Sequence, residues 1–216
     1  MRLFCIFIAF FAFSCVKNQK TDIEITKSKI ISAMKAKNYN VLTGENELNI
    51  VGIRSLKSNP DKFEEKLALF FTKNNKEHFI LYPITTLPNS YYLKNPINPK
   101  GTAILVEGQY SDWKTYIRGS GKYHALMQPD LIPVYRDNNK DKKIDLDPTT
   151  IESGYFEIEL HRFNEDISVR KQSAGCQVFR NNDDYFGFME AVRESIADGK
   201  EITYTLINDE DLLQTQ

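Results

Sequence analysis

Two side chains have the types and the spacing that nucleophilic chemistry asks for: His161 and, about fifteen positions later, Cys176. A thiol is only slightly ionised at neutral pH, so it needs a neighbour that takes its proton. An imidazole is suited to that task. Cys176 closes the run Ser173-Ala174-Gly175-Cys176, where glycine lets the backbone turn tightly at a point where a side chain would obstruct an approaching substrate. The amides around Gly175 and Cys176 would hold a developing oxyanion. Ser173 is expected to shape the turn and not to react. Arg180 is expected either to meet a substrate carboxylate or to stand as a solvated charge.

The elements that must position this pair follow from the pattern on either side. Tyr155 to His161 alternates apolar and polar residues, which reads as a strand with Phe156, Ile158 and Leu160 inward and His161 on the opposite face with Glu157 and Glu159. A loop from Arg162 to Gln172 comes next. Beyond the short strand Val178-Phe179, Asn181 or Asn182 can cap a helix whose first turn holds Asp183 and Asp184. Its buried stripe is expected to be Tyr185, Met189, Val192 and Ile196.

A histidine at a strand end followed by Ser-x-Gly-Cys resembles the L,D-transpeptidase catalytic domain, the YkuD-type family. His161, Ser173, Gly175 and Cys176 match its motif. Ala174 replaces the motif's second histidine, Gln177-Val178 replaces its usual apolar-then-Arg pair, and Arg162 stands where a small residue often follows the first histidine. Weaker likeness runs upstream through Thr85 to Tyr92 and Asn98 to Gly101, so that it covers about Phe63 to Ile196. The resemblance implies a β-rich α+β fold, a mixed β-sheet or sandwich with a few helices. It also implies a cysteine acyltransferase that forms a thioester on peptidoglycan stem peptides, with Cys176 as nucleophile and His161 as base. A carboxypeptidase or endopeptidase on the same site, and a catalytically silent wall-binding module, are the competing readings. Partners are therefore stem peptides, and no cofactor is called for.

With 28 Lys and Arg against 29 Asp and Glu, the net charge is -1. No clustered basic surface suggests nucleic acid as a partner. Arg2, the apolar stretch Leu3 to Phe13 and Ser14 before Cys15 read as a lipoprotein-type export signal over residues 1–14. The stretch is too short to span a bilayer as a helix. Cys15 would then carry a lipid that tethers an exported chain to a bacterial membrane through residues 15–25. Of three cysteines, Cys5 leaves with the signal and Cys15 is consumed, so Cys176 remains as a lone thiol in an oxidising compartment. An inert buried thiol, or a Cys15 to Cys176 disulfide, is the alternative.

Residues 26–60 are expected to form an extension packed on the domain: a helix from Thr26 to Lys37, a strand from Asn49 to Arg54 and a turn at Ser58 to Asp61. The main domain is placed at 61–208. Its strands are Lys66 to Phe71 and His78 to Tyr82 around a polar hairpin turn, then Thr102 to Val106, Tyr123 to Met127 and Ile202 to Ile207. Ser111 to Gly121, with Trp113, reads as a loop that either covers a cleft or is a surface excursion. Asp137, Asn139, Asp141 and Asp145 have alternating oxygens, as in a calcium loop. Lys142 and Pro148 break that pattern, and a solvated turn competes with it. His78 and His124 read as structural histidines, and residues 209–216 as a frayed acidic tail.

Overall fold

A computed structural model describes residues 23–118 and 123–213. The helices are α1 (Lys27–Ala36), α2 (Ser90–Lys94) and α3 (Asn182–Ala197). The strands are β1 (Asn49–Arg54), β2 (Glu65–Lys73), β3 (Lys76–Thr85), β4 (Thr102–Leu105), β5 (Gly108–Tyr110), β6 (Lys114–Arg118), β7 (Tyr123–Met127), β8 (Ile132–Asp137), β9 (Glu152–Gly154), β10 (Glu159–His161), β11 (Gln177–Phe179) and β12 (Thr203–Asn208). Nine strands form one sheet in the order β5-β12-β1-β2-β3-β11-β10-β7-β6, and β4-β8-β9 form a second. The fold is a β-rich α+β fold.

The sequence dictates the β2–β3 hairpin at its turn. Asn74 and Asn75 both adopt positive φ, 52° and 59°, a conformation that asparagine tolerates and that matches the twist of a two-residue hairpin. Register then runs from Lys73 opposite Lys76 to Glu65 opposite Ile84. Period-two alternation sends Leu67 and Leu69 to one face, with Phe188 and Val192 of α3. Ala68 and Phe70 go to the other face, with Ile30, Ala33 and Met34 of α1. The central strands are thus covered on both faces, and each fully buried side chain of this kind contributes about 1.5–3 kcal/mol.

Several expectations change against this frame. β1 lies inside the main sheet, parallel to β12 and antiparallel to β2, so segment 26–60 supplies a central strand as well as a packed helix. Thr26 does cap α1, accepting from Lys29 N at 3.3 Å. Fully buried Arg54 at the end of β1 donates to Leu105 O at 2.8 Å and Glu107 Oε1 at 3.1 Å. The stretch expected as a loop from Ser111 contains β6, paired with β7, and Trp113 is buried against Tyr204. It is neither a lid nor an excursion over its described part; Gly119 and Gly121 lie outside the described residues. In α3, Phe188 takes the buried position assigned to Ile196, which is 39% exposed. The tail is a 3-10 turn over Asp209–Leu213 with Leu212 buried and Asp211 paired to Lys37 at 2.9 Å. Signal residues 1–14, Cys15, most of the tether and residues 214–216 lie outside the described residues.

Candidate active site

His161 ends β10, and Glu159 stands two residues earlier on the same face, as strand alternation requires. The strand is shorter than its pattern suggests. Glu157 has φ 56°, which breaks the alternation. The Gln128 side chain takes over the role of a neighbouring strand by accepting from Phe156 N and Ile158 N, each at 3.0 Å. Beyond this kink β10 pairs in parallel with β11, Leu160 opposite Gln177 and His161 opposite Val178. That pairing brings Cys176, the residue before β11, alongside Glu159 and His161. Sγ of Cys176, a ring nitrogen of His161 and a carboxylate oxygen of Glu159 all lie within 4.8 Å of one another.

The turn before the cysteine is held from both ends. Ser173 is fully buried; its Oγ donates to Cys176 O at 2.7 Å and accepts from Gly175 N at 3.1 Å. Both bonds lie within the turn. The second bond engages the Gly175 amide, expected to face an oxyanion, inside the turn. Gly175 has φ 137°, and a Cβ there would stand 2.6 Å from Ala103 O. Glycine is required at this position both by conformation and by space. Upstream, Asn89 N donates to Ser173 O at 2.9 Å and Asn89 Oδ1 accepts from Ser173 N at 2.8 Å. The Thr85 to Tyr92 stretch is thus the other half of the cysteine turn.

Electrostatics leave the pair neutral at rest. His161 Nδ1 bonds Arg162 O at 2.8 Å; a carbonyl only accepts, so Nδ1 carries the proton and Nε2 the lone pair. Burial pulls the His161 pKa down to about 3, with the Arg118 and Arg162 charges acting in the same direction. Burial pushes the Cys176 thiol up to about 11; the Glu159 charge adds to this, while a hydrogen bond from the Glu159 backbone and the Arg118 charge oppose it. The thiol donates to Glu157 O at 3.7 Å. Both shifts favour a neutral thiol beside a neutral imidazole over a thiolate–imidazolium pair.

Access comes from two sides. One cleft of about 420 Å³ is bounded by Thr102, Ala103, Arg136, Phe156, Glu157 and Cys176. A second, of about 360 Å³, is bounded by Tyr92, Arg118, Tyr123, His161, Arg162 and Cys176. Ile97, Ala174 and Cys176 line both. Cations stand in each. Arg136 lies 4.7 Å over the Phe156 ring and Arg162 4.8 Å over the Tyr123 ring; Arg136 is buried, its guanidinium engaged by Glu152 and by Gly101 O.

Other singled-out residues fall elsewhere. Arg180 is exposed and lines a separate depression with Pro83, Glu165 and Asp183, away from Cys176. His78 stacks on Phe71 at 4.7 Å, and the backbone carbonyl of His124 accepts from the Tyr185 hydroxyl. In the 137–147 loop Asp137 Oδ2 accepts from Asp145 N at 3.1 Å, Asn139 Oδ1 from Asp141 N at 3.0 Å and Asp141 Oδ1 from Lys143 N at 2.8 Å. One side-chain oxygen of each of these residues helps fold the loop on itself, while Asp137 Oδ1 is buried without a hydrogen-bond partner. Glu159 and Arg118 were not singled out from the sequence. For Glu159 the strand alternation had already placed it on the face of His161; Arg118 carried no signal, because it arrives from β6.

The chain matches no family model, no curated protein and no solved structure.

Proposed function

We propose that this protein is a cysteine acyltransferase acting on peptides, with Cys176 as nucleophile and His161 as base. The observation that carries the reading is the position of Cys176: the residue borders two clefts at once, and its sulfur has an imidazole nitrogen within 4.8 Å. Cys176 Sγ attacks a peptide carbonyl as its proton passes to His161 Nε2. The tetrahedral oxyanion falls to the Cys176 amide, since Gly175 N is engaged by Ser173. Collapse expels an amine, which takes the proton from His161, and leaves a thioester on Cys176.

Two clefts that share Cys176 favour transfer over hydrolysis. One can hold the acyl donor while the second admits an amine, which displaces the thiolate from the carbonyl and regenerates the thiol. The resemblance in the cysteine motif makes peptidoglycan stem peptides the substrate class, and the Cys15 signal makes the chain a lipid-anchored exported protein. Arg118 and Arg162, which line the second cleft, suit the carboxylates of such peptides. Ala174 lines both clefts where the family has a histidine, leaving more space at their junction.

The experiment is incubation of the chain with a stem tetrapeptide, followed by product analysis. Crosslinked dimers in addition to released D-alanine are expected. Trimmed monomers alone would assign the site to a hydrolase, and unchanged peptide would end the enzymatic reading.

A further inference from the structure

We infer that Glu159, His161 and Cys176 form a seat for a thiophilic divalent cation of the zinc type, which on binding converts the Cys176 thiol into a masked, metal-bound thiolate. This inference rests on the donor set and not on the proposed acyl transfer.

The donors are one sulfur, one imidazole nitrogen and one carboxylate oxygen, and among the described residues they are the only such group of three His, Cys, Asp or Glu side chains within 4.8 Å. Sulfur, nitrogen and oxygen together suit zinc, whereas calcium and magnesium take oxygen alone. A tetrahedral zinc with its sulfur about 2.3 Å and its nitrogen and oxygen about 2.0–2.2 Å away separates its ligands by roughly 3–4 Å. Small side-chain rotations close the gap. The clefts beside Cys176 leave the fourth position to water.

A second observation points the same way. Glu159 is 5% exposed, and its Oε2 has no hydrogen-bond partner, although Arg118 Nη1 stands 2.5 Å away outside hydrogen-bond geometry. Arg118 balances the charge of this buried carboxylate without a well-aligned hydrogen bond, so a cation between Glu159 and Cys176 would compete with Arg118 for an oxygen that is not locked in place. His161 is also oriented as a metal-bound histidine is: Nδ1 is committed to the Arg162 carbonyl and Nε2 is left with the lone pair. Binding forms a metal–sulfur bond and releases the thiol proton to water. Arg118 opposes the cation, so the seat is tuned against tight occupancy.

The test uses the full chain with Cys5 and Cys15 replaced by serine, so that Cys176 is the sole thiol. Titration with zinc chloride is expected to give one site per chain, and cobalt(II) chloride a thiolate-to-metal charge-transfer absorption that Cys176→Ser abolishes. Glu159→Gln and His161→Ala, each confirmed folded by circular dichroism, weaken zinc by about tenfold or more, while Arg118→Gln tightens it. Zinc also protects Cys176 from alkylation. Absence of zinc binding, a charge-transfer absorption that persists in Cys176→Ser, or an affinity unmoved by Glu159→Gln and His161→Ala overturns the inference. If metal-free protein forms no thioester but binds zinc as described, the acyl-transfer reading fails and the seat stands.

Discussion

Asn89 and Ser173 hold each other through two hydrogen bonds, Asn89 N to Ser173 O at 2.9 Å and Ser173 N to Asn89 Oδ1 at 2.8 Å. Both residues are buried, and the pair ties the start of the cysteine turn to the N-terminus of α2. Replacing Asn89 by Ala leaves the Ser173 amide buried without an acceptor, which costs about 1–3 kcal/mol. Chemical denaturation should show that loss. Alkylation of Cys176 should also change rate, because the turn that aims its sulfur is loosened. An unchanged denaturation midpoint would show that the pair does not hold the turn.

Gly175→Ala is expected to be worse for the site than its size suggests. The added Cβ meets Ala103 O at 2.6 Å at a φ of 137°, and a backbone held in such a region costs about 1–3 kcal/mol. Relief comes by shifting the turn or β4, and either movement displaces Sγ from His161. Thermal unfolding should fall by several degrees, with slower reaction of Cys176 towards iodoacetamide. A variant with wild-type stability would mean that the turn is softer than its contacts indicate.

The 137–147 loop carries a pH dependence of its own. Burial pushes Asp137 up to about 6, the Asp145 and Asp141 charges add to it, and the hydrogen bond from Asp145 N opposes it. A carboxyl whose folded pKa is raised contributes most below its unfolded value and loses that contribution as pH rises through the folded value. Stability should therefore decline between about pH 4 and about pH 6, and Asp137→Asn, which retains an acceptor for Asp145 N, should flatten that part of the curve. Urea midpoints measured across the interval decide; a wild-type curve with no decline, or a slope unaffected by Asp137→Asn, contradicts the assignment.

Behind the cysteine turn, the Tyr204 hydroxyl bonds Gln177 Oε1 at 2.9 Å while Gln177 Nε2 donates to Gly175 O at 3.3 Å. This chain gives a use to Gln177, which departs from the transpeptidase motif. Tyr204→Phe strips one partner from a buried amide and should cost about 1–3 kcal/mol, with the β12 strand otherwise intact by circular dichroism. A neutral substitution would place the support of Gly175 elsewhere.

How far the sequence carried depended on whether a signal was local. The β2–β3 hairpin was legible because two asparagines and flanking alternation sit within one stretch, and α1 and α3 because their caps and apolar stripes do. β6 was not legible, since Trp113 and the glycines after Arg118 read as loop chemistry while the partner strand lies beyond them. The central place of β1 was hidden for the same reason: its neighbour β12 is about 150 residues away. At the site, the spacing of His161 and Cys176 was readable from one motif. Glu157, whose left-handed conformation ends the strand early, gave no sign, and neither did the engagement of the Gly175 amide by Ser173, a contact made by the folded turn and not by any residue pattern.

The most direct measurement of the central claim is the mass of the Cys176 peptide after the chain is quenched during incubation with a stem tetrapeptide. A thioester carrying the acyl portion of the donor, released by hydroxylamine and missing in Cys176→Ala, is the predicted result. A peptide of unmodified mass throughout the incubation, or turnover that continues in Cys176→Ala, would contradict it.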